Sequence, residues 1–279
     1  MSQNASGRAI YSIRQLREGV WRQRDDSLAV EEPLEIRLGY TDPRQGRVHR
    51  SVSITMRTPG RDVDLALGFL YSESILKRLA DVEQVEQNRP NVIRLELSER
   101  ASFDPARLER HFYTTSSCGV CGKASLETLS LSGFDALPPL HQRFTLSSLC
   151  ALPAQLRTRQ PLFSATGGCH GVALFDLRGN IELVAEDVGR HNAMDKLIGA
   201  LLQQNRLPLR EHGILLSGRA SFELLQKALS AGCPLVAAVG APSSLAVELA
   251  QEFNIILLGF LGEGRCNVYH GHEALDFDG

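Results

Sequence analysis

Two cysteines three residues apart, Cys118 and Cys121, lie in the stretch Thr114-Thr-Ser-Ser-Cys118-Gly-Val-Cys121-Gly-Lys123-Ala-Ser125. A glycine follows each cysteine, so the backbone can turn sharply there without a Cβ clash. Such a turn exposes each sulfur and lets backbone N–H groups face it, which favours the thiolate, the nucleophilic form of cysteine. Lys123 adds a positive charge close by. Four uses fit a dithiol of this kind: a metal site, a redox disulfide, carriage of sulfur as a persulfide, or no chemistry at all.

The first two uses lack support elsewhere in the chain. Zinc with four ligands would need Cys169 or His170 to complete the set. A zinc deaminase needs His-x-Glu together with Pro-Cys-x-x-Cys. None of the eight histidines is followed two residues later by Glu, and Ser117 rather than proline precedes Cys118. A thioredoxin-like motif would sit after an apolar strand in a βαβ unit, and no comparably apolar strand precedes Cys118. His170 and His191 lie in glycine- and charge-rich segments, where a ligand or acid–base role and a plain structural hydrogen bond are both open. The remaining histidines have no constellation around them. Cys150 and Cys233 fall in or beside apolar elements and are expected to be inert core thiols.

The elements that must position these groups differ between the two halves. Glu35–Leu38 and Arg50–Met56 alternate as half-buried strands, with Val52, Ile54 and Met56 expected on one face. Asp62 is expected to cap a helix over Val63–Leu76, and Val92–Leu97 reads as another strand. A helix is expected over Ser148–Arg159, with Pro153 tolerable only in its first turn. Phe163 to Gly171 is glycine-rich and leads into a strand at Val172–Phe175, which turns at Arg178-Gly179-Asn180 and returns over Ile181–Ala185. Glu186-Asp-Val-Gly-Arg-His-Asn192 precedes a helix over Ala193–Gln203 and is dense in functional side chains.

From Gly213 the pattern is regular. Buried strands at 213–217, 235–239 and 255–260 alternate with helices at 221–230 and 243–253. Strands apolar along their whole length argue for a parallel sheet covered on both faces. The ligand site of such a sheet lies outside the carboxyl ends of its strands. Those ends read Ser217-Gly-Arg219, Gly240-Ala-Pro242 and Gly262-Glu-Gly-Arg265, with backbone room and guanidinium groups for a phosphate.

Composition places the chain among ordinary globular proteins: 279 residues, 43% hydrophobic and 22% charged. A formal net charge of −2 implies no general attraction to nucleic acid. Six cysteines with one close pair fit a reducing compartment rather than a disulfide scaffold. No apolar run reaches the roughly eighteen residues that a membrane-spanning helix needs. Three regions are expected: a flexible leader over 1–31, an α+β part over 32–139 that carries the cysteine loop (114–125), and an α/β domain over 140–279.

Several segments together resemble the formate dehydrogenase accessory protein (FdhD) family. They are Glu32-Pro-Leu-Glu-Ile36, Cys118-Gly-Val-Cys121-Gly, Thr166-Gly-Gly-Cys-His-Gly171, Glu186-Asp-Val-Gly-Arg-His-Asn-Ala-Met-Asp195, Ser217-Gly-Arg219 and Gly259-Phe-Leu-Gly-Glu-Gly-Arg265. The resemblance spans about Glu32 to Tyr269. It implies a three-layer, cytidine-deaminase-like core with a mixed or parallel sheet and a smaller α+β N-terminal part, in a cytoplasmic homodimer. It also implies a sulfurtransferase that takes persulfide sulfur from a cysteine desulfurase. The sulfur passes to the molybdenum bis(molybdopterin guanine dinucleotide) cofactor, which formate dehydrogenase needs. By the same resemblance Cys118 carries the persulfide and Cys121 assists. Phe260, Leu261, Gly262, Glu263, Gly264 and Arg265 contact the cofactor, whose guanine nucleotide is the GDP-like part. No catalytic metal of the protein's own, no nucleic acid and no membrane are implied. The alternative is a non-catalytic chaperone that binds the cofactor or the apo-dehydrogenase, with zinc or a regulatory disulfide at the CxxC.

Overall fold

A computed structural model describes residues 7–101 and 134–276; the cysteine loop, with Cys118 and Cys121, lies outside them. The strands of the first stretch are β1 (Arg8–Arg17), β2 (Val20–Ala29), β3 (Glu32–Asp42), β4 (Gly46–Arg57), β5 (Val82–Arg89) and β6 (Val92–Leu97), with α1 (Asp62–Ser72) between β4 and β5. The second stretch runs β7 (Phe144–Thr145), α2 (Leu146–Thr158), α3 (Pro161–Thr166), β8 (His170–Asp176), β9 (Ile181–Asp187) and α4 (Arg190–Gln203). It continues through β10 (His212–Leu216), α5 (Phe222–Ser230), β11 (Leu235–Ala238), α6 (Ser244–Glu252), β12 (Ile256–Gly262), β13 (Arg265–His270) and β14 (Leu275–Asp276).

The larger sheet has the order β13-β12-β11-β10-β8-β9. β10, β11 and β12 are parallel neighbours. β8 pairs antiparallel with both β10 and β9, and β13 pairs antiparallel with β12. The sheet is therefore mixed, with a parallel centre and antiparallel flanks. Its two faces take alternate residues, as the two-residue period of a strand demands. Ile214, Leu216, Val236 and Leu257 pack under α4, α5 and α6. Leu215, Leu235, Ala237 and Leu258 pack against Leu149, Leu152 and Leu156 of α2. Pro153 sits in the interior of α2 rather than in its first turn. An interior proline costs about 3 kcal/mol. Burying the three leucines of that helix returns about 1.5–3 kcal/mol each, which is enough to hold it together.

The smaller sheet has the order β4-β3-β6-β5, with β3 and β6 parallel and the other pairs antiparallel. Its core of Leu34, Ile36, Leu38, Ile93 and Leu95 packs against Leu65, Ala66 and Leu70 of α1. Three expectations change here. A bulge opposite Ile36/Arg37 breaks the alternation of β4, so Val52 is buried while Ile54 and Met56 are 69% and 48% exposed. Asp62 is the first residue of α1 and not its cap; its carboxylate accepts from Arg57 Nε and Nη2 (3.0 and 2.9 Å) and from Gln87 (2.8 Å). The helix stops at Ser72, and the buried Ile75 and Leu76 belong to the turn that follows.

Within the segment expected as a leader, β1 and β2 pair over their whole length as an antiparallel hairpin. Glu18 and Gly19 both take positive φ (52° and 78°) at its tip, the geometry that matches a two-residue hairpin turn to the twist of its strands. Ile10, Tyr11, Leu16 and Trp21 stand exposed on it. With so little apolar surface buried, the hairpin leaves no core-facing stripe in the sequence.

α1 and α4 cross between the two sheets at two glycines. A Cβ on Gly68 would lie 1.9 Å from the Asp195 carbonyl oxygen, and one on Gly199 would lie 1.8 Å from that of Asp64. The two backbones touch there because neither side has a side chain.

Candidate functional site

The carboxyl ends of β10, β11 and β12 and the amino end of the antiparallel β8 meet at one edge of the larger sheet. Short backbone bonds tie them together. Ser217 N donates to Gly171 O (2.9 Å), Gly240 N to Gly218 O (2.9 Å), and Phe260 N to Gly240 O (3.1 Å). Gly171 N donates to the Ser217 hydroxyl (2.8 Å). Three of the segments marked by the sequence therefore converge: Thr166–Gly171, Ser217–Arg219 and Phe260–Arg265.

Beside this edge lies a cavity of about 600 Å³, lined among others by Arg157, Gln160, Phe163, Cys169, His170 and Ser217. The Arg157 guanidinium stacks 4.2 Å above the centre of the Phe163 ring. Gln160 is 4% exposed, and its Nε2 has no hydrogen-bond partner among the described residues. A buried amide donor without a partner costs about 1–3 kcal/mol, so the wall of this cavity holds an unused donor. Gly171 makes room for it: a Cβ there would lie 2.3 Å from Gln160 Nε2. Burial, and then Arg190, hold the His170 pKa below its ordinary value, which favours the neutral ring. Burial pushes the Cys169 thiol up against the hydrogen bond from Thr166, so Cys169 is not set up as a thiolate nucleophile.

The expected cofactor segment is the tip of the β12–β13 hairpin. Phe260 takes φ 53° and is 45% exposed, so its ring stands out from the strand end. Gly262 pairs with Arg265 across the turn, and Gly264 turns the chain at φ 66°. Glu263 and Arg265 are exposed. Leu261 differs from the rest: it is 2% exposed, and its side chain belongs to the core beneath.

The run Glu186–Asp195, dense in functional side chains, is largely used within the fold. Glu186 accepts the amides of Leu162 (3.0 Å) and Phe163 (2.8 Å) at the start of α3. Asp187, fully buried, accepts from Thr58 N (3.1 Å) and pairs with Lys196 Nζ (2.8 Å). Asn192 donates to Met56 O (2.7 Å) and accepts from Thr55 (3.0 Å). Asp195 accepts from Lys227 Nζ at 2.8 and 3.1 Å and from Ser72 (3.1 Å). The bonds to Thr55, Met56, Thr58 and Ser72 join the two sheets. His191 lines a second cavity, of about 250 Å³, together with Asp195, Glu223 and Lys227. Burial first, then Arg190 and Lys227, bring its pKa down to about 4.

Arg157 and Gln160 escaped the sequence reading. Both sit in an ordinary polar helix end, and only the fold of α2 and α3 over β8 turns them towards the glycines. Among the described residues, no group of three or more His, Cys, Asp or Glu could hold a metal ion. No helix among them is long and apolar enough to cross a membrane.

The fold and site define an α/β protein with a cavity at the carboxyl edge of a mixed sheet and a projecting hairpin turn beside it. The chain belongs to the FdhD/NarQ family, whose model matches residues 29–276. It is 48% identical over 257 residues to the sulfur carrier protein FdhD of Mycolicibacterium paratuberculosis, covering 88% of this chain and 90% of that one. It is 37% identical over 264 residues to the sulfur carrier protein FdhD of Sulfolobus acidocaldarius, covering 95% and 97%. A crystal structure from Desulfotalea psychrophila, of a protein provisionally described as a formate dehydrogenase accessory protein, superposes with a TM-score of 0.72. It is 20% identical and covers 96% of this chain and 99% of that one, a likeness of fold.

Proposed function

We propose that this protein is a sulfur carrier in the maturation of formate dehydrogenase. A cysteine desulfurase presents a persulfide. The Cys118 thiolate attacks its outer sulfur, the donor's S–S bond breaks, and the sulfane sulfur remains on Cys118 while the donor leaves as a thiolate. Cys121 assists or relays. The acceptor is the molybdenum bis(molybdopterin guanine dinucleotide) cofactor, which is both substrate and bound partner. Phe260–Arg265 contact its guanine nucleotide part in a cytoplasmic homodimer. The six-stranded sheet, with helices on both faces, supports a cytidine-deaminase-like scaffold that lacks the His-x-Glu acid–base pair.

The observation that carries the reading is the Cys118-Gly-Val-Cys121 dithiol in a chain similar over most of its length to sulfur carriers. The exposed Phe260 ring and Arg265, beside a cavity with an unused buried donor, support the cofactor contact.

Intact-mass spectrometry without reductant, after incubation with a cysteine desulfurase and cysteine, tests it. One added sulfur on the wild type and none on Cys118→Ala is expected. An adduct that survives in Cys118→Ala and is lost in Cys121→Ala would exchange the two roles. No adduct on any variant, where a known acceptor is loaded, would overturn the sulfur-carrier reading. Stoichiometric zinc in the pure protein would then favour the chaperone.

A further inference from the structure

Two thiols outside the cysteine loop lie at the foot of the β12–β13 turn. Cys150, on α2, places its Sγ 3.8 Å from the carbonyl oxygen of Arg265. The next residue in the chain is Cys266, on β13. Both cysteines are free and half-buried, and both lie against the same apolar cluster under α2. The other described cysteines are placed differently: Cys233 is fully buried and Cys169 is 7% exposed.

We propose that Cys150 and Cys266 are a redox pair that a peroxide closes into a disulfide, tying α2 to β13. The Cys150 sulfur already lies 3.8 Å from the carbonyl oxygen of Arg265, the residue bonded to Cys266, so α2 and β13 are near neighbours where the bridge would form, and distance between the backbones is the usual obstacle to bridging two cysteines. Half-burial leaves the pair within reach of a small oxidant. Cys150 loses its proton to solvent and attacks one peroxide oxygen. The O–O bond breaks, a sulfenic acid forms on Cys150, and hydroxide leaves as water. The Cys266 sulfur then attacks the Cys150 sulfur. The S–O bond breaks, the S–S bond forms, and hydroxide takes the Cys266 proton and leaves as a second water. Two thiols are oxidised and one hydrogen peroxide is reduced.

The order of attack follows from the surroundings. Burial, then the neighbouring Cys150, push the Cys266 thiol up, which suits it to the resolving role. The consequence reaches the turn. β13 begins at Arg265, and its pairing with Gly262 closes the Phe260–Arg265 loop. A covalent tie at Cys266 restrains that loop from one side. Neither the disulfide nor the restraint rests on the sulfur-carrier reading.

The test uses the full chain treated with graded hydrogen peroxide, then alkylated and mapped by mass spectrometry without reduction. A linked peptide joining Cys150 to Cys266 is expected, reversed by dithiothreitol. In the Cys118→Ala/Cys121→Ala variant, the intact mass is expected to fall by two hydrogens, and this loss to vanish when Cys266→Ser is added. Recovery of both residues as alkylated thiols, or as separate sulfinic acids, at a dose that oxidises Cys118 or Cys121 would overturn the proposal. Hydrogen exchange reads the restraint: several-fold slower amide exchange over 260–266 is expected in the oxidised form. Equal exchange in both forms would overturn the restraint on the turn.

Discussion

Lys227 shows how strongly single residues matter at the joint between the sheets. It is buried, and its ammonium meets both oxygens of Asp195 and lies 5.7 Å over the Phe69 ring. Burial alone would lower the lysine's pKa, but Asp195 and Glu73 outweigh it and raise it. Burial holds Asp195 up at about 6, so both partners are charged at neutral pH. Lys227→Met leaves the aspartate buried and unpaired and is expected to cost about 3–5 kcal/mol in urea unfolding. Adding Asp195→Asn is expected to recover part of that loss. A cost near zero for the single variant would show that the pair does not stabilise the fold.

His191 supplies a pH effect of definite sign. Its folded pKa of about 4 lies below the ordinary 6.5. As pH falls from 6.5 to about 4, the unfolded chain takes up a proton that the folded chain refuses. Stability is therefore lost on acidification across that window. His191→Gln lacks this term, so its stability relative to wild type is expected to rise as pH falls from 6.5 to about 4. A relative stability that stays flat with pH would contradict the assignment.

At the scale of elements, the crossing of α1 and α4 is the tightest contact between backbones. Gly68→Ala would push a methyl group to 1.9 Å from a carbonyl oxygen, and backbone cannot swing aside as a side chain would. Overpacking of this kind typically costs about 1–3 kcal/mol, and a clash with backbone belongs at the upper end. Equilibrium denaturation is expected to show that loss for Gly68→Ala and for Gly199→Ala. Gly264→Ala, with nothing within 4 Å of an added Cβ, meets only the strain of its positive φ. The β1–β2 hairpin makes a separate prediction. The chain has one tryptophan, Trp21, and it is 65% exposed. Its emission is expected to be that of a solvated indole and readily quenched by acrylamide. A shielded, blue-shifted emission would show that something covers the hairpin in solution.

Over the whole molecule, the two sheets do not face solvent between them. α1 and α4 fill the gap, and Thr58, Ser72 and Met56 of the first stretch reach across it to bond Asp187, Lys196, Asp195 and Asn192, the two aspartates being paired with Lys196 and Lys227. Neither sheet buries these charges alone. Unfolding is therefore expected as one cooperative transition, with calorimetric and far-ultraviolet circular dichroism midpoints that coincide. Two separated midpoints would mean that the halves fold independently despite the shared charges.

How much was legible in the sequence follows from what each element buries. β10, β11 and β12 are apolar along their length because both faces are covered, so their position, and the glycine-rich edge at their ends, could be read directly. α4, α5 and α6 carried clear helical spacing. The hairpin β1–β2 was not legible, because an exposed strand pair needs no apolar stripe. The outward turn of Ile54 and Met56 was not legible either, since a one-residue bulge reverses the faces without changing composition. The family came from the sequence alone through motif types and their order. Tertiary structure decided the rest. It turned most of the Glu186–Asp195 run into a buried joint, set the unpartnered Gln160 in the cavity wall, and brought Cys150 to the start of the strand that carries Cys266. Those outcomes depend on contacts between distant segments, and local patterns of hydrophobicity and spacing do not encode which distant side chains will meet.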